Sequence, residues 1–320
     1  MTKKVIYIIQ PLKPENVAAI AVLAPDHEVI CAWETDIAPE RLKDIEIIIG
    51  GNGPFTNRVL DTPGHCLKWV QVHSAGIDYL DLPRLQAEGI LLSNTSGLHG
   101  RPIAEHVIAV LLAKTRAIRE SILNQGTKTW NRVVDYDDLD AKSMLILGAG
   151  RVGSEIAKLA SAFGIKVTGV NLEGKPIPYF DSVVLMDQLD QVLPGKDIVV
   201  NILPLTAATK HFCNDDFFAK LEPGATFISC GRGPTVVTAD LIDAITSGQI
   251  GYACLDVFET EPLPADSPLW TLKNTLITAH IAGQVPHFKT KATAIYTENL
   301  AAFLKDGTLA RNQINYANGF

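Results

Sequence analysis

The sequence has few cysteines and no arrangement of metal ligands, and both absences exclude a class of protein. Its five cysteines are odd in number and are never spaced as C-x-x-C: Cys31, Cys66, Cys213, Cys230 and Cys254. This pattern indicates free thiols in a reducing compartment rather than a disulfide framework. No cluster of His, Cys, Asp and Glu has metal-ligand spacing, so no metal site is predicted.

Long apolar runs and basic blocks are also missing. A membrane-spanning helix needs about 18 or more consecutive apolar residues, and no segment reaches that length. The run Val5–Ile9 ends at Gln10 and Pro11, too early for the core of a signal peptide. The net charge of −7, without a Lys/Arg block, argues against nucleic acid or an anionic membrane as partner. We therefore expect a soluble, cytoplasmic protein.

The stretch from Met144 to Asn171 has the pattern of a strand, a glycine turn, a helix and a second strand. Its turn, Gly148-Ala149-Gly150-Arg151-Val152-Gly153, fits G-x-G-x-x-G. In a dinucleotide-binding turn, Gly148 allows the tight bend, Gly150 lets a pyrophosphate approach the backbone, and Gly153 lets the helix pack closely. The helix that begins at Arg151 presents free N–H groups to the phosphates. The alternative is a structural turn without a ligand, which the flanking elements disfavour.

The residue expected to contact the adenosine ribose is Asn171, at the end of the second strand. An asparagine lacks the negative charge that repels a 2′-phosphate, and Lys175 lies nearby. Glu173 has the opposite effect. The cofactor is therefore predicted to be NAD or NADP, with a slight preference for NADP.

The length of 320 residues suggests two domains, and the first hundred residues alternate strands and helices as a small α/β unit. Within this unit, the loop His73–Asp78 follows a strand and consists largely of small residues, so its amides could bind a carboxylate. A tight turn without a ligand is equally compatible with those residues. From Arg101 to about Gln125, apolar residues at i+3 and i+4 predict one long helix that connects the two domains.

Four further strands are predicted after the glycine turn: 197–203, 225–229, 251–255 and 275–278. Polar or kinked segments follow them: Pro204-Leu205-Thr206, Cys230 to Gly233, Asp256 to Pro262, and His280 to Gly283. Because parallel strands end at the same edge of a sheet, these segments are expected to surround one crevice.

Arg232, Glu261 and His280 would supply a coherent chemistry in that crevice. Hydride transfer to a 2-oxo acid produces an alkoxide that needs a proton, and imidazolium is a suitable donor near neutral pH. A carboxylate beside the ring favours its protonated form and orients it. An arginine binds the substrate carboxylate through its planar fork and polarises the neighbouring carbonyl. Each residue alone also has an ordinary structural explanation.

The ordered motifs GAGRVG, CGRG, DVFETEPLP and HIAG, together with SAGID and AEHVIAVLL, resemble the D-isomer-specific 2-hydroxyacid dehydrogenase family over nearly the whole chain. Formate dehydrogenases of the same fold have Gln in place of Glu261, which disfavours formate as substrate. The resemblance implies an α/β protein of two Rossmann-like domains with parallel sheets. A nucleotide-binding domain, 98–287, is inserted into a substrate domain formed by 1–97 and 288–320.

The resemblance also implies roles for individual residues. Arg232, Glu261 and His280 match the catalytic residues of the family, and the amides of Ala75 and Gly76 match those that bind the substrate carboxylate. The implied cofactor contacts, besides the glycine turn and Asn171, are Pro204, Thr206, Cys230 and Asp256, the last of these to the nicotinamide carboxamide. Relatives are usually homodimers.

The function expected from the sequence is therefore reduction of small 2-oxo acids, such as glyoxylate or hydroxypyruvate, to D-2-hydroxy acids, with His280 as proton donor. The alternative is a scaffold that senses NAD(H) and binds protein partners with little turnover, as corepressors with this fold do.

Overall fold

The computed structural model describes residues 3–9 and 11–317, which form two compact units. Unit 1 comprises Met1–Leu98 and Val285–Phe320, and unit 2 comprises His99–Gln284, so unit 2 interrupts unit 1 in the sequence. Each unit has its own sheet, and every strand pair in both sheets is parallel. The predicted fold class is confirmed.

Strands and helices are numbered along the chain. The strands of unit 1 are β1 (Val5–Ile9), β2 (Glu28–Ala32), β3 (Ile45–Ile49), β4 (Trp69–Gln71) and β5 (Leu91–Ser93). Its helices are α1 (Pro14–Leu23), α2 (Gly53–Leu60), α3 (Leu82–Ala87) and α10 (Phe288–Asp306). The strand order β2-β1-β3-β4-β5 is the flavodoxin-like doubly wound order.

The strands of unit 2 are β6 (Ser143–Leu147), β7 (Lys166–Asn171), β8 (Ser182–Leu185), β9 (Ile198–Asn201), β10 (Ala225–Ser229), β11 (Ile250–Leu255) and β12 (Thr275–Ile277). Its helices are α4 (Gly100–Thr115), α5 (Ile118–Gly126), α6 (Arg151–Ala162), α7 (Leu189–Val192), α8 (Asp215–Ala219) and α9 (Thr238–Thr246). The order β12-β11-β10-β9-β6-β7-β8 is the Rossmann order with one added strand.

Both sheets are covered on both faces, which explains why their central strands consist mainly of apolar residues. In β6, Leu145 and Leu147 pack into one core, whereas Met144 and Ile146 pack into the core on the opposite face. The residues of β1 alternate between two cores in the same way. In the described part of the chain, no helix combines the length and apolarity needed to cross a membrane. All five cysteines are free thiols, as predicted.

Two expectations about secondary structure were wrong. The long helix expected from Arg101 to Gln125 is broken into α4 and α5 at Ala117, whose φ of 51° lies in the left-handed region. The strand β8 was not predicted, because it is an edge strand of four residues whose apolar run, 183–186, is short and follows a loop that contains Gly and Pro.

Candidate active site

The glycine turn joins β6 to α6 at the carboxyl end of the strand. Gly148 has a φ of 106°, a conformation that glycine adopts without strain. A Cβ on Gly153 would lie 2.6 Å from the Gly148 carbonyl oxygen, so only glycine allows α6 to pack this close. A Cβ on Gly150 would meet nothing within 4 Å. The backbone at Gly150 therefore borders open space.

Helix α6 begins at Arg151 without a side-chain cap, since its N-cap residue is Gly150. Amides in a first helical turn lack intrahelical acceptors, and the helix dipole is positive at this end. The turn also lies where the strand order reverses between β6 and β9, the usual ligand position in doubly wound sheets. The residues Gly148, Gly150, Arg151, Val152 and Gly153 thus fit the pyrophosphate of a dinucleotide.

Asn171 ends β7 beside this turn. Its Oδ1 accepts hydrogen bonds from the amides of Glu173 (2.9 Å) and Gly174 (2.7 Å), and its Nδ2 donates to the Ala149 carbonyl (3.3 Å). Lys175 Nζ lies 2.7 Å from Glu173 Oε2 in an exposed ion pair. Lys175 and Glu173, which were expected to have opposite effects on a 2′-phosphate, therefore form an ion pair with each other.

Asn201, fully buried at the end of β9, links the loops that follow β9 and β10. Its Nδ2 donates to Thr235 Oγ1 (2.8 Å), and that hydroxyl donates to the Arg232 carbonyl (2.6 Å). The loop that carries Pro204 and Thr206 is closed by Thr209, whose hydroxyl donates to the Pro204 carbonyl (2.6 Å) and accepts from the Thr206 amide (2.8 Å). These side chains fix the backbone around Arg232, Pro204 and Thr206.

Cys230 follows β10 and is 8% exposed. Burial raises the pKa of its thiol well above the ordinary value. The thiol is therefore protonated and unreactive at neutral pH, and the residue contributes shape rather than nucleophilic chemistry.

Glu261 and His280, two of the proposed catalytic residues, are in direct contact. His280 Nδ1 lies 2.7 Å from Glu261 Oε2, while Glu261 Oε1 accepts the amide of Phe258 at 3.0 Å. The His280 side chain is 49% exposed, and its Nε2 has no hydrogen-bond partner in the described chain. Glu261 thus orients the ring through Nδ1, and Nε2 is open to a ligand.

Arg232 lies at the carboxyl end of the unit 2 sheet, as Glu261 and His280 do. Arg232, Glu261 and His280 follow β10, β11 and β12, which are neighbours in the sheet. A Cβ on Gly233 would lie 1.8 Å from the Phe258 carbonyl oxygen, so the loop of Arg232 packs directly on the loop of Glu261. The Arg232 Nη1 donates to the Gly231 carbonyl at 3.0 Å. The structure therefore places all three side chains on contiguous loops of unit 2.

Asp256 is 1% exposed at the end of β11. Its carboxylate accepts hydrogen bonds from the hydroxyl of Thr278 and from the amides of Ile281 and Ala282. Sequence reasoning assigned Asp256 to the cofactor alone, but the structure shows that it holds the segment around His280.

In unit 1, the loop that contains Ala75 and Gly76 is held by side-chain hydrogen bonds to its backbone carbonyl groups. Side chains of the neighbouring segment take part: Asn94 Nδ2 donates to the Ala75 carbonyl (2.7 Å), and Thr95 Oγ1 donates to the His73 carbonyl (2.8 Å). The Gly76 carbonyl accepts the Ser74 hydroxyl at 2.6 Å. In contrast, the amides of Ala75 and Gly76 donate to no acceptor in the described chain. Successive unbound amides of this kind suit an anion such as a carboxylate.

His73 supports the start of this loop as a neutral residue. Its Nε2 donates to the Ile9 carbonyl at 3.2 Å, and its Nδ1 accepts the hydroxyl of buried Tyr296. Burial lowers the pKa of His73. The imidazole therefore adds no charge beside the unbound amides.

Sequence reasoning missed several residues that order these loops: Asn94, Thr95, Asn201, Thr235 and Thr278. All but Thr235 are small polar residues at or just beyond a strand end, which was the available signal. Thr235 lies in the 3₁₀ turn Gly233–Thr235 after β10. Three histidines that lie outside the sequence motifs each contact a glutamate: His27 contacts Glu46, His65 contacts Glu88, and His211 contacts Glu259.

The matches to known proteins agree with this geometry. Residues 108–282 match the family model described as D-isomer specific 2-hydroxyacid dehydrogenase, NAD binding domain. A glyoxylate reductase/hydroxypyruvate reductase from Mus musculus is 32% identical over 316 residues, which cover 94% of this chain and 94% of that protein.

Two solved structures are also similar. Phosphoglycerate dehydrogenase from Lactobacillus plantarum is 37% identical, with a TM-score of 0.58 over 98% of this chain and 100% of that one. An NADPH-dependent glyoxylate/hydroxypyruvate reductase from Sinorhizobium meliloti, in complex with NADP and sulfate, is 26% identical, with a TM-score of 0.79 over 99% and 100%.

A Rossmann unit with this glycine turn, matched by a family model for NAD binding, defines an oxidoreductase that uses a nicotinamide cofactor. The chain belongs to the D-isomer specific 2-hydroxyacid dehydrogenase family.

Proposed function

We propose that this protein is an NAD(P)-dependent D-2-hydroxyacid dehydrogenase that reduces a small 2-oxo acid, such as glyoxylate or hydroxypyruvate, to the D-2-hydroxy acid. The observation that carries the proposal is the 2.7 Å contact between His280 Nδ1 and Glu261 Oε2. The relatives from Mus musculus and Sinorhizobium meliloti, whose names include both substrates, support this choice.

In the proposed reaction, the reduced cofactor supplies a hydride to the carbonyl carbon. His280 gives the Nε2 proton to the carbonyl oxygen, which becomes the hydroxyl group. Glu261 contacts the opposite nitrogen, Nδ1, and so orients the ring. Arg232 and the amides of Ala75 and Gly76 bind the substrate carboxylate. We assign unit 2 as the nucleotide-binding domain and unit 1 as the substrate domain.

We propose NADP(H) as the preferred cofactor. Asn171 is uncharged and does not repel a 2′-phosphate. The ion pair of Lys175 with Glu173 is solvent-exposed on both sides and so contributes little stability, which leaves Lys175 able to turn toward a phosphate. Pro204, Thr206, Cys230 and Asp256 complete the proposed cofactor contacts. The five free thiols support a cytoplasmic location.

The proposal is tested by recording absorbance at 340 nm with NADPH or NADH and a panel of 2-oxo acids. We expect turnover of glyoxylate or hydroxypyruvate, a D-configured product where the carbon is chiral, and a higher kcat/KM with NADPH. Turnover restricted to a phosphorylated 2-oxo acid would instead assign the substrate class of phosphoglycerate dehydrogenase. Binding of NAD(H) without turnover would favour the scaffold.

Asn94 offers a test of the substrate loop. Asn94→Ala removes the donor to the partly buried Ala75 carbonyl. Leaving a buried acceptor unpaired costs about 1–3 kcal/mol. We expect the KM for the 2-oxo acid to rise about tenfold, because 1.4 kcal/mol corresponds to a factor of ten. Asn94→Asp keeps the volume but adds a negative charge and should raise this KM further. An equal rise in the KM for NADPH would contradict a role limited to the substrate loop.

We further propose that the protein is a homodimer that uses α5 and the segment after it. Helix α5 buries none of its residues. Six large apolar side chains are exposed along this stretch: Ile118, Ile122, Leu123, Trp130, Val133 and Tyr136. Exposed apolar residues concentrated in this way are typical of an interface, and a twofold axis is the commonest symmetry.

Val133 provides a matched test of the dimer. Val133 is 88% exposed on this surface, and Val22 is 80% exposed on α1 in unit 1. We expect light scattering to report a dimer for the wild type and for Val22→Glu, and a shift toward monomer for Val133→Glu, because a buried unpaired charge opposes association. A monomeric wild type would refute the dimer.

A further inference from the structure

The buried carboxylate of Asp256 holds the turn that carries His280. Asp256 Oδ1 accepts the Thr278 hydroxyl (2.6 Å) and the Ile281 amide (2.9 Å), and Oδ2 accepts the Ala282 amide (2.9 Å). The backbone carbonyl of Asp256 accepts the His280 amide at 2.8 Å. Four hydrogen bonds from residues 278–282 therefore converge on Asp256.

This turn has an intrinsic cost. His280 has a φ of 53°, in the left-handed region, where a residue other than glycine is destabilised by roughly 1–2 kcal/mol. The hydrogen bonds to Asp256 offset that cost. A change in the orientation of the carboxylate would therefore move the His280 ring relative to Glu261.

The Thr278 hydroxyl contacts both the Asp256 carboxylate and His106. A threonine hydroxyl has one proton, and the 2.6 Å contact to Asp256 Oδ1 is the stronger of its two contacts. The second contact, 3.3 Å to His106 Nε2, therefore has His106 as donor. His106 lies on α4, so this helix is connected through Thr278 to the turn.

The protonation state of His106 fits this arrangement. Burial lowers the pKa of His106, and the nearby Asp256 carboxylate opposes that effect. A neutral ring with its proton on Nε2 donates to Thr278. The neighbouring Glu105 points elsewhere and pairs with Arg101 at 2.6 Å.

We propose that Thr278 and His106 are positioning residues for the reaction: the chain from His106 through Thr278 to Asp256 holds the His280 turn in the geometry that transfers the proton. This proposal rests on the proposed function, because it assigns His280 as the proton donor. Neither residue has to touch substrate or cofactor for this role.

The central test compares Thr278→Val with Thr278→Ser. Valine has the shape of threonine without the hydroxyl, whereas serine keeps the hydroxyl. We expect Thr278→Val to lower kcat about tenfold, because small displacements of a catalytic group reduce rate strongly. The KM for NADPH should stay within about twofold of the wild type, and Thr278→Ser should restore kcat to within about twofold. Wild-type kcat in Thr278→Val, or equal losses in both variants, would overturn the proposal.

Two further variants extend the test along α4. His106→Phe removes the donor to Thr278 and should lower kcat in the same direction, whereas Glu105→Gln, one residue away and exposed, should leave kcat unchanged. Equal kcat values for His106→Phe and the wild type would remove His106 from the chain of contacts.

A spectroscopic measurement separates this proposal from the proposed function. The Hε1 resonance of His280, assigned by its absence in His280→Ala, should move in Thr278→Val and stay in place in Thr278→Ser and Glu105→Gln. An absence of turnover in the wild type with every 2-oxo acid would refute the proposed function. An unmoved His280 resonance in Thr278→Val would refute the positioning chain, whatever the activity.

Discussion

Replacing His280 with alanine is expected to lower kcat by about 10²-fold or more, the usual contribution of a general acid. The physical reason is the geometry of the ring: Nδ1 is held by Glu261 at 2.7 Å, and Nε2 has no partner in the described chain, so Nε2 is the nitrogen that we propose delivers the proton. The loss should appear in kcat at saturating NADPH and 2-oxo acid.

Binding of the cofactor should survive this substitution. The glycine turn follows β6, and three strands (β9, β10 and β11) separate β6 from β12, which precedes the His280 segment. Fluorescence titration of His280→Ala with NADPH should therefore give a Kd close to that of the wild type. His65→Ala is the matched control, since His65 pairs with Glu88 in unit 1 and should leave kcat unchanged. A near-normal kcat in His280→Ala would exclude His280 from the mechanism.

Replacing Arg232 with glutamine is expected to raise the KM for the 2-oxo acid by about 10- to 100-fold, because a hydrogen bond to a charged group contributes about 1.5–3 kcal/mol. The value of kcat should fall as well, since we propose that the guanidinium also polarises the carbonyl. Arg232→Lys keeps the charge but loses the planar fork, and should give an intermediate KM.

Comparing the KM for NADPH with the KM for the 2-oxo acid makes this test specific to substrate binding. The KM for NADPH should change little in Arg232→Gln, while the KM for the 2-oxo acid rises. Arg84→Gln is the control, because Arg84 contacts only Asp61 and Glu88 among the partners that the structure shows for it. An unchanged KM for the 2-oxo acid in Arg232→Gln would contradict the assignment of Arg232 to the substrate carboxylate.

Much of the fold could be predicted where burial is complete. The bounds of β1, β3 and β10 agree with the sequence prediction, because strands buried on both faces consist mainly of apolar residues. Helix α1 begins at Pro14 as predicted, since proline suits the first helical position. The break at Ala117 was not predictable, because apolar spacing continues through it and no Gly or Pro marks it.

The candidate site, too, could be predicted only in part. Parallel strands end at a common edge, so the loops of Arg232, Glu261 and His280 were expected to meet from the strand pattern alone. The side chains that hold these loops were not identified, because their partners are far away in sequence. Thr278 lies 172 residues from His106 and 22 residues from Asp256.

The sequence by itself determined the alternation of strands and helices, the glycine turn and the chemical types available for catalysis, since these depend on local spacing and side-chain chemistry. Only the tertiary structure decided how individual polar groups are used: that Asp256 supports the His280 turn and that Asn94 binds the Ala75 carbonyl. Hydrogen bonds are short and directional, so their partners are fixed only when the strand order has brought distant loops together.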